Sequence, residues 1–87
     1  MPKFRPELLP DPCDYYENEL VGIKWGNDKA KALCPFHKER SPSFFFWYED
    51  GKFKCFGCAE GGSMVDFHMK RNGMDFIDAV KDLGAWK

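Results

Sequence analysis

The sequence has 87 residues, a net charge of −1 and 44% apolar residues, with nine Phe. It holds no run of about 18 apolar residues, and its start, Met1-Pro2-Lys3-Phe4-Arg5-Pro6, lacks the apolar stretch of a secretory signal. These features predict one small, soluble, cytoplasmic domain with no membrane partner, and the near-zero net charge argues against a strongly electrostatic nucleic-acid binder.

Residues 1–12 hold four prolines and read as an irregular arm. Asp11 can cap a short helix with Pro12 at its first position, running through Cys13-Asp14-Tyr15-Tyr16-Glu17. From Leu20 to Trp25, Val21, Ile23 and Trp25 alternate against Gly22 and Lys24, the pattern of a strand. Gly26-Asn27-Asp28 is a turn. Lys29 to Leu33 is a second strand, basic on one side with Ala30 and Ala32 on the other, and it leads into Cys34.

Cys34-Pro35-Phe36-His37 is followed by seventeen residues and then by Cys55-Phe56-Gly57-Cys58. Each pair can grip one side of a metal, and the spacer is long enough for a hairpin that brings the pairs together. Cys34, His37, Cys55 and Cys58 make a closed Cys3His zinc set, which leaves no position for a catalytic water. Gly57 suits a tight knuckle beside the thiolates. Bound metal would supply stability that a chain of this size lacks, since it buries only roughly 60–65% of its unfolded surface. Three of the four cysteines are thereby engaged, leaving Cys13 as an odd thiol best read as a small, partly buried apolar residue. A dithiol redox role for Cys55 and Cys58 calls for a thioredoxin-like βαβ context, which the pattern lacks. A Cys3His iron–sulfur site is chemically possible and is normally built on other spacings.

Between the knuckles, a polar loop to Ser43 precedes the strand Phe44-Phe45-Phe46-Trp47-Tyr48-Glu49. Asp50-Gly51 predicts a two-residue hairpin loop, returning as Lys52-Phe53-Lys54-Cys55-Phe56. In that register Tyr48 opposes Phe53, Phe46 opposes Cys55 and Phe45 opposes Phe56. One face then carries Phe44, Phe46, Tyr48, Phe53 and Cys55. The other carries Phe45, Trp47, Glu49, Lys52, Lys54 and Phe56. Gly61-Gly62 breaks the chain. Ser63 and Asp66 form a capping box for a helix through Arg71, with Gly73 as its stop. A second helix begins at Asp75, with Phe76, Ala79, Val80 and Leu83 on one stripe, and ends at Gly84. His68 is expected at a helix surface or boundary, and Trp25 and Trp86 as packing residues. The fold class expected is small α+β: a zinc ribbon of the rubredoxin-like or zinc β-ribbon kind, an antiparallel sheet with flanking helices and one structural zinc.

Charge is uneven along the chain. Residues 1–28 sum to −3, residues 29–58 to +3 and residues 59–87 to −1. The positive segment includes Lys29, Lys31, Lys38, Arg40, Lys52 and Lys54. The aromatic and basic face of the hairpin is either an amphipathic sheet face half covered by a helix or the arm, or a single-strand nucleic-acid surface on which rings stack bases. The sequence holds no carboxylate cluster of polymerase type, no P-loop and no dinucleotide fingerprint, so these residues alone carry no expected catalytic site.

The string Cys34-Pro35-Phe36-His37-Lys38-Glu39-Arg40-Ser41-Pro42-Ser43-Phe44, followed by Phe53-Lys54-Cys55-Phe56-Gly57-Cys58-Ala59-Glu60-Gly61-Gly62-Ser63 and Val65-Asp66-Phe67, resembles the N-terminal zinc-binding domain of bacterial DnaG-type DNA primases. The resemblance spans roughly residues 20–85. It implies a zinc ribbon that binds single-stranded DNA template and helps select where an RNA primer begins, as part of a primer-synthesising nucleotidyltransferase. It also implies as partners a catalytic domain in cis or in trans and helicase or primosome components. By position it points to Lys38, Arg40, Ser43, Lys52 and Lys54 as template contacts, beside Lys29, Lys31, Phe45, Trp47 and Phe56 from the face itself. The Pro-rich arm and the Asp11–Leu20 stretch differ from the family's usual N-terminal helix. The expected organisation is thus a Pro-rich arm with a short helix over residues 1–19 and a primase-type zinc-ribbon domain over residues 20–87. A second reading is a free-standing zinc-ribbon regulatory module that binds nucleic acid or protein without primase activity.

Overall fold

The computed structural model describes residues 1–38 and 41–87. Among them, five strands form one antiparallel sheet in chain order: β1 (Val21–Trp25), β2 (Lys29–Leu33), β3 (Phe44–Trp47), β4 (Phe53–Cys55) and β5 (Gly61–Gly62). The helices are α1 (Pro12–Glu19), α2 (Met64–Asn72) and α3 (Phe76–Asp82), with a single 3-10 turn at Pro6–Leu8. No helix among the described residues is long and apolar enough to cross a membrane.

The period-2 pattern sorts the sheet into two faces. Ala30, Ala32, Phe44, Phe46, Phe53 and Cys55 are buried, while their neighbours Lys29, Lys31, Phe45, Trp47 and Lys54 are exposed or half-buried. Against the buried face, Phe67 of α2 meets Tyr16, Phe53 and Phe44 edge-on at 5.1, 5.5 and 5.7 Å. Tyr16 of α1 stacks on Phe46 at 4.4 Å. Each such ring pair adds about 0.5–1.5 kcal/mol beyond its buried area. A second cluster of Val65, Ala79, Val80 and Ala85 lies between α2, α3 and the chain end, with Phe4 and Trp86 packed on it.

The helix ends follow their local signals. Asp11 accepts from the Asp14 N–H, Ser63 and Asp66 make the reciprocal capping box, and Gly73 closes α2. Asp75 accepts from the Asp78 N–H at 2.8 Å and starts α3.

Five features depart from the sequence reading. Trp47 N–H bonds to the Lys52 carbonyl, so the hairpin loop holds the four residues 48–51 and not two, and Phe46 pairs with Phe53 and Phe44 with Cys55. Tyr48 causes this. Its N–H donates to the Asp28 carbonyl, and its hydroxyl lies 2.9 Å from the Gly26 carbonyl and 3.0 Å from that of Lys29. That anchorage draws residue 48 to the β1–β2 turn, and Gly51 N–H closes the loop on the Trp47 carbonyl. The slip is two residues, so the residues that stay in the strands keep their faces, while Tyr48 and Glu49 pass into the loop. Val21 is out of phase with Ile23 and Trp25, because a register shift falls between Val21 and Lys24. Gly61-Gly62, read as a break, pairs with β4 through its backbone. His68 is buried, at 8% exposure, because Tyr15 and Asp82 satisfy its two ring nitrogens at 2.6 Å each. The N-terminal arm is tied down: Arg5 N–H donates to the Ala85 carbonyl at 2.7 Å, and Phe4 pairs with Trp86.

Tyr16 also donates its hydroxyl to the buried Gly51 carbonyl at 2.7 Å, joining α1 to the hairpin loop. Tyr16→Phe keeps the ring and removes that donor. Leaving a buried carbonyl unpaired costs about 1–3 kcal/mol. Urea unfolding of the zinc-loaded variant should show a loss of that size, and an unchanged midpoint would mean that water replaces the hydroxyl.

Candidate metal centre and sheet face

Two strand ends and two knuckles place the donors. β2 runs out into Cys34, and the turn through Pro35 and Phe36 returns His37. β4 ends in Cys55, and the turn through Phe56 and Gly57 returns Cys58. The first knuckle is anchored by Phe36, whose ring lies 5.3 Å from Phe67 and 6.2 Å from Phe53.

The four donor atoms of Cys34, His37, Cys55 and Cys58 lie within 4.8 Å of one another. The Cys34 and Cys58 sulfurs are 3.7 Å apart, and the Cys55 sulfur is 3.5 Å from His37 Nε2. Tetrahedral zinc with bonds of about 2.3 Å to sulfur and about 2.0–2.1 Å to nitrogen requires edges of about 3.8 and 3.6 Å. The cage fits one structural zinc. His37 Nδ1 lies 3.3 Å from the Lys38 carbonyl, which can only accept, so Nδ1 carries the proton and Nε2 offers its lone pair to the metal. Ser43 Oγ lies 3.5 Å from the Cys55 sulfur. Without metal, when His37 Nε2 can itself carry a proton, burial opposes a thiolate at Cys55, but hydrogen bonds from Ser43, His37 and Cys34 outweigh it and bring the thiol down to about 6. Burial pushes Cys34 up to about 12, so the metal-free cage favours a thiolate at one sulfur over the other. Zinc holds its thiol ligands deprotonated.

Gly57 is required by space. A Cβ there would come within 2.7 Å of Ser43 Oγ and 2.9 Å of His37 Cε1. Gly57→Ala should therefore displace the imidazole and lower zinc affinity about 10–100-fold in a chelator competition, with the four ligands still present. Cys58→Ser should release zinc and unfold much of the domain. A Cys58→Ser chain that keeps its near-UV circular dichroism without metal would show that the core suffices alone.

The other face of the sheet gathers most of the expected contact residues. Lys29 pairs with Trp47, Lys31 with Phe45, and Phe45 with Lys54. The Lys31 ammonium sits 5.7 Å over the Phe45 ring, and Phe45 meets Phe56 edge-on at 5.5 Å. Phe56 is 68% exposed. Trp47, Lys52, Phe53 and Ser63 line a cleft of about 610 Å³, together with the carboxylates of Asp50 and Asp66. Lys38 is exposed beside the cage, and Ser43 is turned towards the Cys55 sulfur. Arg40 lies outside the described residues. Lys24, opposite Lys31, stands outside the expected set, although the alternation of β1 was the signal for it.

The family model described as the CHC2 zinc finger, the zinc ribbon of DnaG, matches residues 16–86. The DNA primase of Mycobacterium leprae is 48% identical over 58 residues, which cover 67% of this chain and 9% of that protein. The DNA primase of Streptomyces coelicolor is 48% identical over 75 residues, covering 85% of this chain and 12% of that protein. Among solved structures, the zinc-binding and RNA polymerase domains of the Aquifex aeolicus primase superpose with a TM-score of 0.75 at 29% identity, over 88% of this chain and 19% of that one. The chain thus spans about a tenth of the length of the primases it matches in sequence, between 9% and 12%. A match over residues 16–86, on a cage whose edges fit zinc, shows that the chain belongs to the CHC2 zinc-finger family of DnaG-type DNA primases.

Proposed function

We propose that this chain is the template-reading module of a primase: its outer sheet face binds single-stranded DNA and helps select the site where a primer begins. Nucleotidyl transfer falls to a catalytic domain joined in cis or in trans. The observation that carries this reading is the row of rings and lysines on a face that the core does not use. Phe45, Trp47 and Phe56 lie among Lys29, Lys31 and Lys54 across three neighbouring strands and the turn that follows β4.

Magnitudes assign the roles. A base stacked on an aromatic ring contributes about 1–3 kcal/mol, whereas an exposed ion pair contributes about 0–1 kcal/mol. The rings therefore set affinity, and the lysines set salt dependence. A duplex keeps its base faces stacked inside, so a ring platform favours single strands. The net charge of −1 fits a module whose modest affinity is multiplied by a tethered partner.

Fluorescent single-stranded and duplex oligonucleotides titrated at two salt concentrations test this. Single strands should bind more tightly, and more weakly as salt rises. Trp47→Ala should cost about 1–3 kcal/mol of that binding with the fold retained. Preference for duplex, or binding indifferent to salt, would overturn the proposal.

A further inference from the structure

β1 carries an irregularity that changes what the outer face presents. Val21 is partnered with Leu33, but Lys24 with Lys31 and Trp25 with Ala30, so one extra residue is inserted between Val21 and Lys24. Gly22 has a φ of +70°, the left-handed conformation that a bulge glycine supplies. A Cβ at that position would meet Leu33 only at an ordinary 3.6 Å, so the path of the backbone, not crowding, calls for glycine. The bulge lets Val21 stay against Leu33 while Lys24 stands directly opposite Lys31.

Like charges directly opposed across a ladder destabilise a sheet. Neither Lys24 nor Lys31 has a carboxylate within ion-pair distance among the described residues. Lys29, two residues along β2 on the same face, joins them, with its ammonium 3.9 Å from Asp28. The three lysines line one cleft of about 360 Å³ together with Phe45 and Asp28. Three cations against one carboxylate leave the cleft positive, and Lys31 reaches over the Phe45 ring, so charge and ring surface are contiguous.

We infer that Lys24, Lys29 and Lys31 form the phosphate track of the bound strand. The strand runs along β2, with its phosphates on these lysines and its bases turned inward over Phe45 and Trp47. This rests on the single-strand reading above; it adds Lys24 as a contact and sets the line that the strand follows. Asp28 in the same cleft favours phosphodiesters, one charge per nucleotide, over the compact charge of a free polyphosphate.

The test measures binding of a fluorescent single-stranded oligonucleotide to the zinc-loaded chain over a range of salt. Lys24→Gln and Lys31→Gln should each flatten the slope of log K against log salt by about 0.7. Each should weaken binding about eightfold at about 50 mM salt and converge on the wild type near 1 M. Lys81→Gln on α3 should change neither quantity, and near-UV circular dichroism checks that each variant is folded. If the wild type binds with a salt slope that Lys24→Gln and Lys31→Gln leave unaltered, the phosphate track is overturned while the single-strand reading stands. If the wild type does not bind single strands, both fall. Displacement of the strand by tripolyphosphate at concentrations below the strand's own Kd would assign the cleft to a free polyphosphate and overturn the track as well.

Discussion

Closing four donors onto one metal is the constraint on which the remaining structure depends. Cys34 and Cys55 end β2 and β4, the strands on either side of β3. A cage that joins these ends holds three adjacent strands at one edge, where the chain contributes only short strands of three to five residues. Strands of that length are marginal alone in water. Because the cage exists only in the folded chain, metal affinity becomes folding free energy. Phe36 links the knuckle to the ring cluster around Phe67, so the metal and the core stabilise the same arrangement.

That arrangement buries one face of the sheet and, among the described residues, leaves the other exposed or half-buried. On the inner face Phe44, Phe46 and Phe53 are buried with Tyr16 and Phe67. On the outer face, rings stay partly in water beside lysines, which is an unfavourable way to spend apolar surface unless something covers it. Local charge follows the same division. Residues 29–58 carry the net positive charge, although a cage of three thiolates and one zinc ion is itself about −1. Lys29, Lys31 and Lys54 bring positive charge to the outer side of the sheet.

What could be read from the sequence was what is decided locally. Ligand spacing, the Ser63–Asp66 box, the helix start at Asp75 and the alternation of β2 and β3 each depend on residues within a few positions, and each stands in the structure. The misreadings depend on partners far along the chain. Asp50-Gly51 signals a tight hairpin, but Tyr48 is bound to a turn 22 residues earlier and opens the loop. His68 reads as a surface residue on its own helix, and its burial follows from Tyr15 and Asp82, 53 residues before and 14 after. Gly61-Gly62 has no side chains to show a pattern, so only its backbone pairing with Phe53 and Lys54 reveals a strand. The outer face survived the hairpin misreading because side chains repeat every two residues, and a slip of two returns each to its own side.

His68 also explains how so short a helical layer stays in place. α3 has seven residues, fewer than a helix needs to persist alone in water. Asp82, near its end, accepts from His68 Nε2–H at 2.6 Å, and the Tyr15 hydroxyl lies 2.6 Å from Nδ1 on the other side of the ring. Burial pushes the Tyr15 phenol well above its ordinary range, so it stays protonated and able to donate. One imidazole on α2 thus ties α1 and α3 together, and Val80 and Ala79 add apolar burial beside it. With Asp82 at one ring nitrogen and Tyr15 and Asn72 at the other, the three helices are oriented as well as packed. The sheet that the metal holds at one edge is then backed by a helical layer fixed by these hydrogen bonds.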